Sequence, residues 1–132
     1  MPVPHSYFWD YLSIIFVKYQ NCEPESAKSK ELRGLYLSHL STARANLGQE
    51  KVREVLDSPE YHDLVISNGQ IYTLVDIMNR LDHGDKNANI VSGRRIRNLG
   101  RKINRENNNR FRLKNQIQKR FFGNNKGEIK NI

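Results

Sequence analysis

The two parts of the chain carry opposite charge, and this division strongly constrains how the chain can fold. Residues 1–85 contain eight Lys/Arg and twelve Asp/Glu, whereas residues 86–132 contain fourteen Lys/Arg and two Asp/Glu. The net charge of +8 therefore combines an acidic segment with a strongly basic one. Such a division is typical of a folded domain followed by an arm that binds a polyanion. We predict a mildly acidic helical domain over residues 1–85 that folds by itself, and an arginine-rich nucleic-acid-binding arm over residues 86–132.

The length and composition of the chain exclude several classes of protein. A chain of 132 residues holds one compact core at most. Its single cysteine, Cys22, excludes an internal disulfide and a zinc site built on several thiolates. The longest apolar stretch, residues 12–17, is much shorter than a membrane span, and the N-terminus has no signal-peptide pattern. We expect a protein without a membrane segment, located in the cytoplasm or in the nucleus.

Apolar residues recur every three or four positions through most of the acidic segment, which indicates helices. A first helix is expected to begin at a Ser6 cap. A second helix follows a turn at Asn21–Ser26, with its apolar series beginning at Leu32 and a break near Gly48. Ser58 and Pro59 form a typical helix start, with serine at the cap and proline at the first helical position. The predicted fold class is mainly α, a small helical bundle over residues 6–84.

The first helix has apolar residues on more than one side. Trp9, Tyr11 and Ile14 lie off the apolar stripe that Phe8, Leu12 and Ile15 begin. Two interpretations remain open at this point. The helix is either buried on all sides, or it forms a homodimer with a second copy of the chain.

Asn68-Gly69 leaves two alternatives for the middle of the chain. Both residues tolerate positive φ, and they stand between two short apolar runs, which is a typical signal of a β-hairpin. The other alternative is a helix that ends at Ser67 with Gly69 at its left-handed exit position. In either case a new helix is expected to start at Thr73 and to end at Gly84.

The basic arm retains enough apolar residues for helices. Ile96, Leu99 and Ile103 fall at helical spacing, and a second such series begins at Leu113. We predict two basic amphipathic helices separated by residues 107–109, which are three asparagines. The arm is expected to be helical, or to be disordered until it meets its partner.

Arginine predominates among the cations of the arm, which favours direct binding of nucleic acid. A helix would place Arg94, Arg97 and Arg101 on one face, where guanidinium groups can follow a row of phosphates. The candidate nucleic-acid-binding residues are Arg94, Arg95, Arg97, Arg101, Lys102, Arg105, Arg110, Arg112, Lys114, Lys119 and Arg120. The centre of the predicted contact surface is the densest cluster, which comprises Arg94, Arg95, Arg97 and Arg101. Phe111, Phe121 and Phe122 are interleaved with these cations and could stack on unpaired bases. The predicted partner is nucleic acid, and nothing in this pattern by itself selects RNA over DNA.

The sequence contains no recognisable catalytic or metal-binding pattern. Its four histidines, His5, His39, His62 and His83, are far apart and lack metal-ligand spacing. We therefore predict no catalytic residue, no metal site and no cofactor. Three other interpretations of the arm remain: a solvated, disordered tail, a nuclear localisation signal read by a receptor, and a packaging arm that neutralises a genome without selecting a site.

The arginine cluster resembles a motif in small nucleic-acid-binding proteins of filamentous plant RNA viruses, of the carlavirus, vitivirus and trichovirus kind. Arg94-Arg95 followed by Leu99-Gly100-Arg101 is similar to their arginine cluster and glycine-basic pair, over about fifteen residues. The resemblance implies an RNA-binding viral accessory protein and, for some members, suppression of host RNA silencing. The cysteine-rich finger that follows in many relatives is absent here, since residues 102–104 are Lys, Ile and Asn.

Two further resemblances cover other parts of the chain. Residues 32–59 are similar in pattern to the nodavirus silencing suppressors, in which a long helix lies along double-stranded RNA. The segments Leu81–Asp85, Arg95–Leu99 and Glu106–Asn108 look like the second half of an HNH homing endonuclease, which implies a metal-dependent nuclease or an inactive derivative. The general-base histidine of such an enzyme lies on an upstream strand, and the matching residues 72–76 contain no histidine.

Overall fold

The described part of the protein is almost entirely helical, which confirms the predicted mainly α bundle. The computed structural model describes residues 3–82, 89–123 and 128–129. Within these residues the chain forms the α-helices α1 (His5–Gln20), α2 (Ala27–Leu47), α3 (Gln49–Leu56), α4 (Pro59–Asp82) and α5 (Asn89–Ile117), and a π-helical turn (Gln118–Phe122) that continues α5. Two short strands, β1 (Val3–Pro4) and β2 (Glu128–Ile129), pair antiparallel and bring the two ends of the chain together.

Several helix boundaries follow directly from local sequence. The hydroxyl oxygen of Ser26 accepts a hydrogen bond of 3.0 Å from the backbone N–H of Ser29 and caps α2. Gly48 has a φ of 86° and separates α2 from α3, so the predicted break is confirmed. Ser58 likewise accepts from the Tyr61 N–H at 3.2 Å, and α4 begins at Pro59 as predicted. α1 begins at His5, two residues earlier than a Ser6 cap predicts, and has no side-chain cap.

The expected β-hairpin does not form, and neither does the expected helix end at Ser67. α4 continues without interruption through Asn68 and Gly69 to Asp82. The reason is tertiary, because the Asn68 side chain is buried and its amide donates hydrogen bonds to Asp10 Oδ1 at 3.0 Å and to Ser13 Oγ at 2.7 Å. Asn68 makes these bonds to α1 from helical backbone, so they stabilise the continuous helix. Thr73 lies within the same helix instead of capping a new one.

The expected interruption at residues 107–109 is also absent, and α5 is one helix of 29 residues. Each asparagine costs a helix less than about 0.7 kcal/mol relative to alanine, which tertiary contacts easily outweigh. Asn109 is also held inside the helix, since its amide nitrogen donates to Glu106 Oε1 at 3.2 Å and its amide oxygen accepts from Arg112 at 2.6 Å. The segment predicted as two basic helices is therefore a single rod.

One core joins all five helices. Its buried members come from α1, α2, α3, α4 and α5: Phe8, Trp9, Leu12, Leu40, Ala43, Val52, Val55, Tyr61, Leu64, Leu113 and Ile117. Leu113 and Ile117 belong to the basic segment, so the charge boundary near residue 85 is not a boundary of the core. The core argues against the expectation that residues 1–85 fold alone, because without α5 this set of side chains would be incomplete.

The first helix contributes several buried apolar side chains to this core. Trp9 has no exposed surface, while Tyr11 is 48% exposed and Ile14 is half-buried. Trp9 is therefore not available for a second chain. A homodimer through this helix would use its exposed tyrosines, Tyr7, Tyr11 and Tyr19, and it stays a prediction.

A buried polar cluster connects α1, α4 and α5. The Asp10 carboxylate is 4% exposed and accepts hydrogen bonds from Arg110 Nε at 2.9 Å and from Arg110 Nη2 at 2.5 Å. Asn68 donates to the same carboxylate, and the Ser13 hydroxyl donates to the backbone carbonyl of Asp10 at 2.6 Å. The hydrogen bonds from Arg110 to Asp10 raise the pKa of Arg110, although the partial burial of Arg110 acts to lower it. The charge of Asp10 is therefore compensated by groups from two other helices.

The His5 side chain of α1 packs against the π-helical turn that follows α5. The His5 ring is buried and stacks on Phe122, with ring centroids 3.7 Å apart and the planes 2° from parallel. Burial and the nearby Lys51 ammonium group lower the pKa of His5. The neutral imidazole is therefore the form that fits this position.

We expect Arg110→Ala to destabilise the protein by about 3 kcal/mol, because it leaves the Asp10 carboxylate buried without its cation. Arg112→Ala is the matched control, since Arg112 is exposed on the same helix and should change stability by less than about 0.5 kcal/mol. Urea unfolding followed by circular dichroism measures both. Equal effects of the two substitutions would contradict the structural role of the ion pair.

We also expect His5 to make stability depend on pH. Because the pKa of His5 is lowered in the folded protein, the unfolded chain binds a proton first as the pH falls below about 6.5, and stability present above that pH is lost. His5→Phe keeps the stacked ring and should reduce the loss of stability between pH 7.5 and 5.5 in urea unfolding. A smaller loss should remain, because burial also lowers the pKa of His39. An unchanged pH profile in the variant would count against this assignment.

Candidate nucleic-acid interface

The exposed face of α5 carries a row of arginines. From the first of these five arginines to the last, the spacings are three, four, four and seven residues, which places all five on one side of the helix. The exposed Asn108 lies on the same side, within the gap of seven residues. We call this row the arginine stripe, and it consists of Arg94, Arg97, Arg101, Arg105 and Arg112. Eighteen residue steps at 1.5 Å each give it a length of roughly 27 Å. The opposite face of α5, which includes Leu113 and Ile117, packs on the bundle.

The stripe is not neutralised by the part of the chain that the structure describes. None of its five arginines forms an ion pair there, although four ion pairs occur elsewhere in the same residues. Arg112 donates one hydrogen bond to the Asn109 amide, which leaves its charge uncompensated. The stripe is therefore a row of solvated positive charges held in line by a helix whose other face is fixed.

The four arginines predicted to form the centre of the contact surface do not all lie on the same side of α5. Arg94, Arg97 and Arg101 belong to the stripe, whereas Arg95 follows Arg94 directly and so lies about 100° away around the helix. Arg95 and Lys102 are both exposed, on the side of α5 next to the stripe. Lys119 is also exposed, in the π-helical turn.

Three of the predicted binding residues have structural partners instead. Arg110 pairs with the buried Asp10, and Arg120 pairs with Glu60 of α4 at 2.5 Å. The Lys114 ammonium lies 4.4 Å from the centroid of the Tyr7 ring of α1. These three cations hold α5 and the turn after it against the bundle. Their assignment to a nucleic-acid contact is therefore not supported by their geometry.

The three phenylalanines predicted to stack on bases differ in exposure. Phe111 is 59% exposed, but the Lys114 ammonium lies 5.4 Å from the centroid of its ring. Phe121 and Phe122 are half-buried and pack against the core. Among the three, only Phe111 offers an exposed ring.

A groove lies between α4 and α5 beside the stripe. It encloses about 470 Å³, its α4 side includes Ile66, Gly69 and Leu74, and its α5 side includes Lys102 and Arg105. Arg105 therefore belongs both to the stripe and to the groove. Sequence reasoning missed the α4 side of this groove, because it placed Gly69 either in a hairpin turn or at the end of a helix and had no signal for how two distant helices pair.

The described residues provide no centre for metal-dependent chemistry. Among them, no group of three or more His, Cys, Asp and Glu side chains is placed to hold a metal ion. Residues 72–76, which the HNH resemblance would place on a strand, lie within α4, and residues 95–99 lie within α5. His83, which belongs to the same resemblance, lies outside the described residues. The stretch compared with the nodavirus suppressors is broken at Gly48 into α2 and α3, so it is not one long helix.

Comparison of the chain with protein-family models, with curated proteins and with solved structures gave no match. In the described residues, no helix combines the length and the apolar character that a membrane crossing requires. The geometry of α5 and its surroundings is therefore the basis for assigning a function to this protein.

Proposed function

We propose that this protein binds RNA through the arginine stripe of α5. The observation that carries the proposal is the row of five exposed arginines without ion-pair partners among the described residues. In keeping with the resemblance to plant viral proteins, we propose that bound RNA is thereby kept from host silencing proteins. The helical bundle holds the stripe in place.

The physical source of affinity is the release of counterions from the nucleic acid. Each phosphate that an arginine neutralises frees condensed cations, which favours binding at low salt. A guanidinium group also donates two parallel hydrogen bonds to one phosphate, which a lysine ammonium cannot do in the same geometry. Because the arginines already lie in a row on a formed helix, little backbone conformational entropy is lost when they bind a row of phosphates.

The arrangement of charge supports a defined contact surface more than a diffuse polycation. Contacts within the protein involve Arg110, Lys114 and Arg120. Fewer cations of residues 86–132 are therefore available to a ligand than the net charge of that segment suggests. Among the described residues, the other cations of α5 lie on the stripe or on the side of the helix next to it. RNA is favoured over DNA by the viral resemblance, whereas phosphate contacts by themselves serve both.

We expect the combined substitution Arg94→Ala, Arg97→Ala, Arg101→Ala and Arg112→Ala to weaken RNA binding strongly. On a duplex, the slope of log affinity against log salt should fall by about three to four units, at roughly 0.9 per lost phosphate contact. Alanine favours helix, so α5 should persist in the variant. Fluorescence anisotropy with labelled duplex RNA at several salt concentrations measures the slope.

The matched control removes four exposed arginines from other helices, with the same change in net charge: Arg33→Ala, Arg44→Ala, Arg53→Ala and Arg80→Ala. This variant should change the salt slope little, because these side chains lie outside α5. Equal losses in the two variants would show that bulk charge and not the stripe governs binding. Equal binding of RNA, duplex DNA and heparin would contradict a preference for RNA, and cleavage with added magnesium would favour the nuclease alternative.

Two neighbouring cations provide a second test on the same helix end. Lys119 is exposed and has no ion-pair partner among the described residues, whereas Arg120 is paired with Glu60. We expect Lys119→Ala to lower the salt slope by up to about one unit and Arg120→Ala to leave it nearly unchanged. The same anisotropy titrations apply. A larger effect of Arg120→Ala would mean that the ion pair opens when RNA binds.

A further inference from the structure

The α4 wall of the groove between α4 and α5 is mainly apolar and faces solvent, with the polar side chains of Gln70 and Thr73 beside Ile66 and Leu74. Ile66 is 58% exposed and Leu74 is half-buried on the α4 side. Gly69 lies between them in the helix, and an ideal Cβ built on it would meet no heavy atom within 4 Å. Glycine inside a helix costs about 1 kcal/mol relative to alanine, and here no close packing contact requires it. Its effect is to leave the groove open.

The other wall of the groove is charged, and both signs are present. Lys102 and Arg105 are exposed cations with no ion pair among the described residues, so they attract an anionic group. Glu106 also lines the groove, and its Oε1 accepts one hydrogen bond from Asn109 at 3.2 Å. A carboxylate has further lone pairs, so Glu106 can accept from additional donors.

This combination fits a nucleotide better than a simple anion. A free phosphate would be repelled by Glu106, whereas a base that carries an amino group would donate a hydrogen bond to it. The flat base would cover the exposed apolar wall, and its phosphate would lie between Lys102 and Arg105. The volume of about 470 Å³ is within the range of small-molecule sites.

We propose that the α4–α5 groove takes one unpaired, amino-bearing nucleotide of a bound RNA, with cytosine preferred over uracil. The proposal rests on the proposed function, because Arg105 belongs to both surfaces and connects the groove to the arginine stripe. An RNA strand on the stripe thus presents its nucleotides beside the groove. Uracil lacks the amino group and offers a carbonyl oxygen, which Glu106 would repel.

The test uses three labelled RNAs: an uninterrupted duplex, the same duplex with one bulged cytosine, and the same duplex with one bulged uracil. Anisotropy titrations of the full chain should give roughly tenfold tighter binding of the cytosine bulge than of the uninterrupted duplex, as expected for one good hydrogen-bonded contact. Gly69→Leu fills the groove and should remove this gain while keeping the affinity for the uninterrupted duplex. Gly34→Leu is the matched control, because Gly34 is also helical with open space around its Cβ position, and it should behave as the unaltered chain.

Glu106→Gln provides an independent variant that keeps the shape of the groove. The neutral amide can donate to the uracil carbonyl as well as accept from cytosine, so cytosine and uracil bulges should bind with similar affinity. Equal affinity of the unaltered chain for all three RNAs would overturn the groove proposal and leave the arginine stripe intact. A preference for the bulge that survives Gly69→Leu would overturn it as well. Absence of binding to every RNA would overturn the proposed function and the groove together.

Discussion

The position of α5 depends on one buried carboxylate. Asp10 lies inside the bundle, and a buried charge is tolerated only when it is paired and hydrogen-bonded. Arg110 and Asn68 supply these contacts from two helices that are far apart in sequence. Asn68 and Arg110 make these contacts from helical backbone at places where the local sequence suggests a break. Together with the burial of Leu113 and Ile117, the contacts help to explain why α4 and α5 both continue through residues of low helix propensity.

The same interaction determines which cations can meet a ligand. Once Arg110 is turned toward Asp10, helix geometry places the arginine stripe on the opposite side of α5, facing solvent. Lys114 and Arg120 add contacts to Tyr7 and Glu60 at the end that packs on the core. The basic segment therefore serves two purposes. Its inner cations stabilise the fold, and its outer cations remain available for phosphate.

The pairing of α4 with α5 also relates the two proposed contacts. The stripe needs only one helix, whereas the groove needs both, and Arg105 is shared between them. A surface that binds phosphates through the stripe is indifferent to sequence, because every nucleotide has the same phosphate. A groove that accepts one base adds a means of discrimination, since Glu106 and the cations beside it distinguish the edges of the bases. Both contacts depend on α5 being held rigidly by its inner face.

Local sequence alone determined the helical class, the Gly48 break and the starts of α2 and α4, because caps, glycine and proline act within a few residues. It also determined the spacing of Arg94, Arg97, Arg101 and Arg105, which needs only a helix to become a row. Tertiary structure decided what Asn68-Gly69 and residues 107–109 would do, because hydrogen bonds to Asp10 and burial of Leu113 outweigh weak local preferences. It alone decided that Arg110 and Arg120 turn inward and that Gly69 opens a groove. Such outcomes depend on partners up to 100 residues away along the chain, which no local pattern contains.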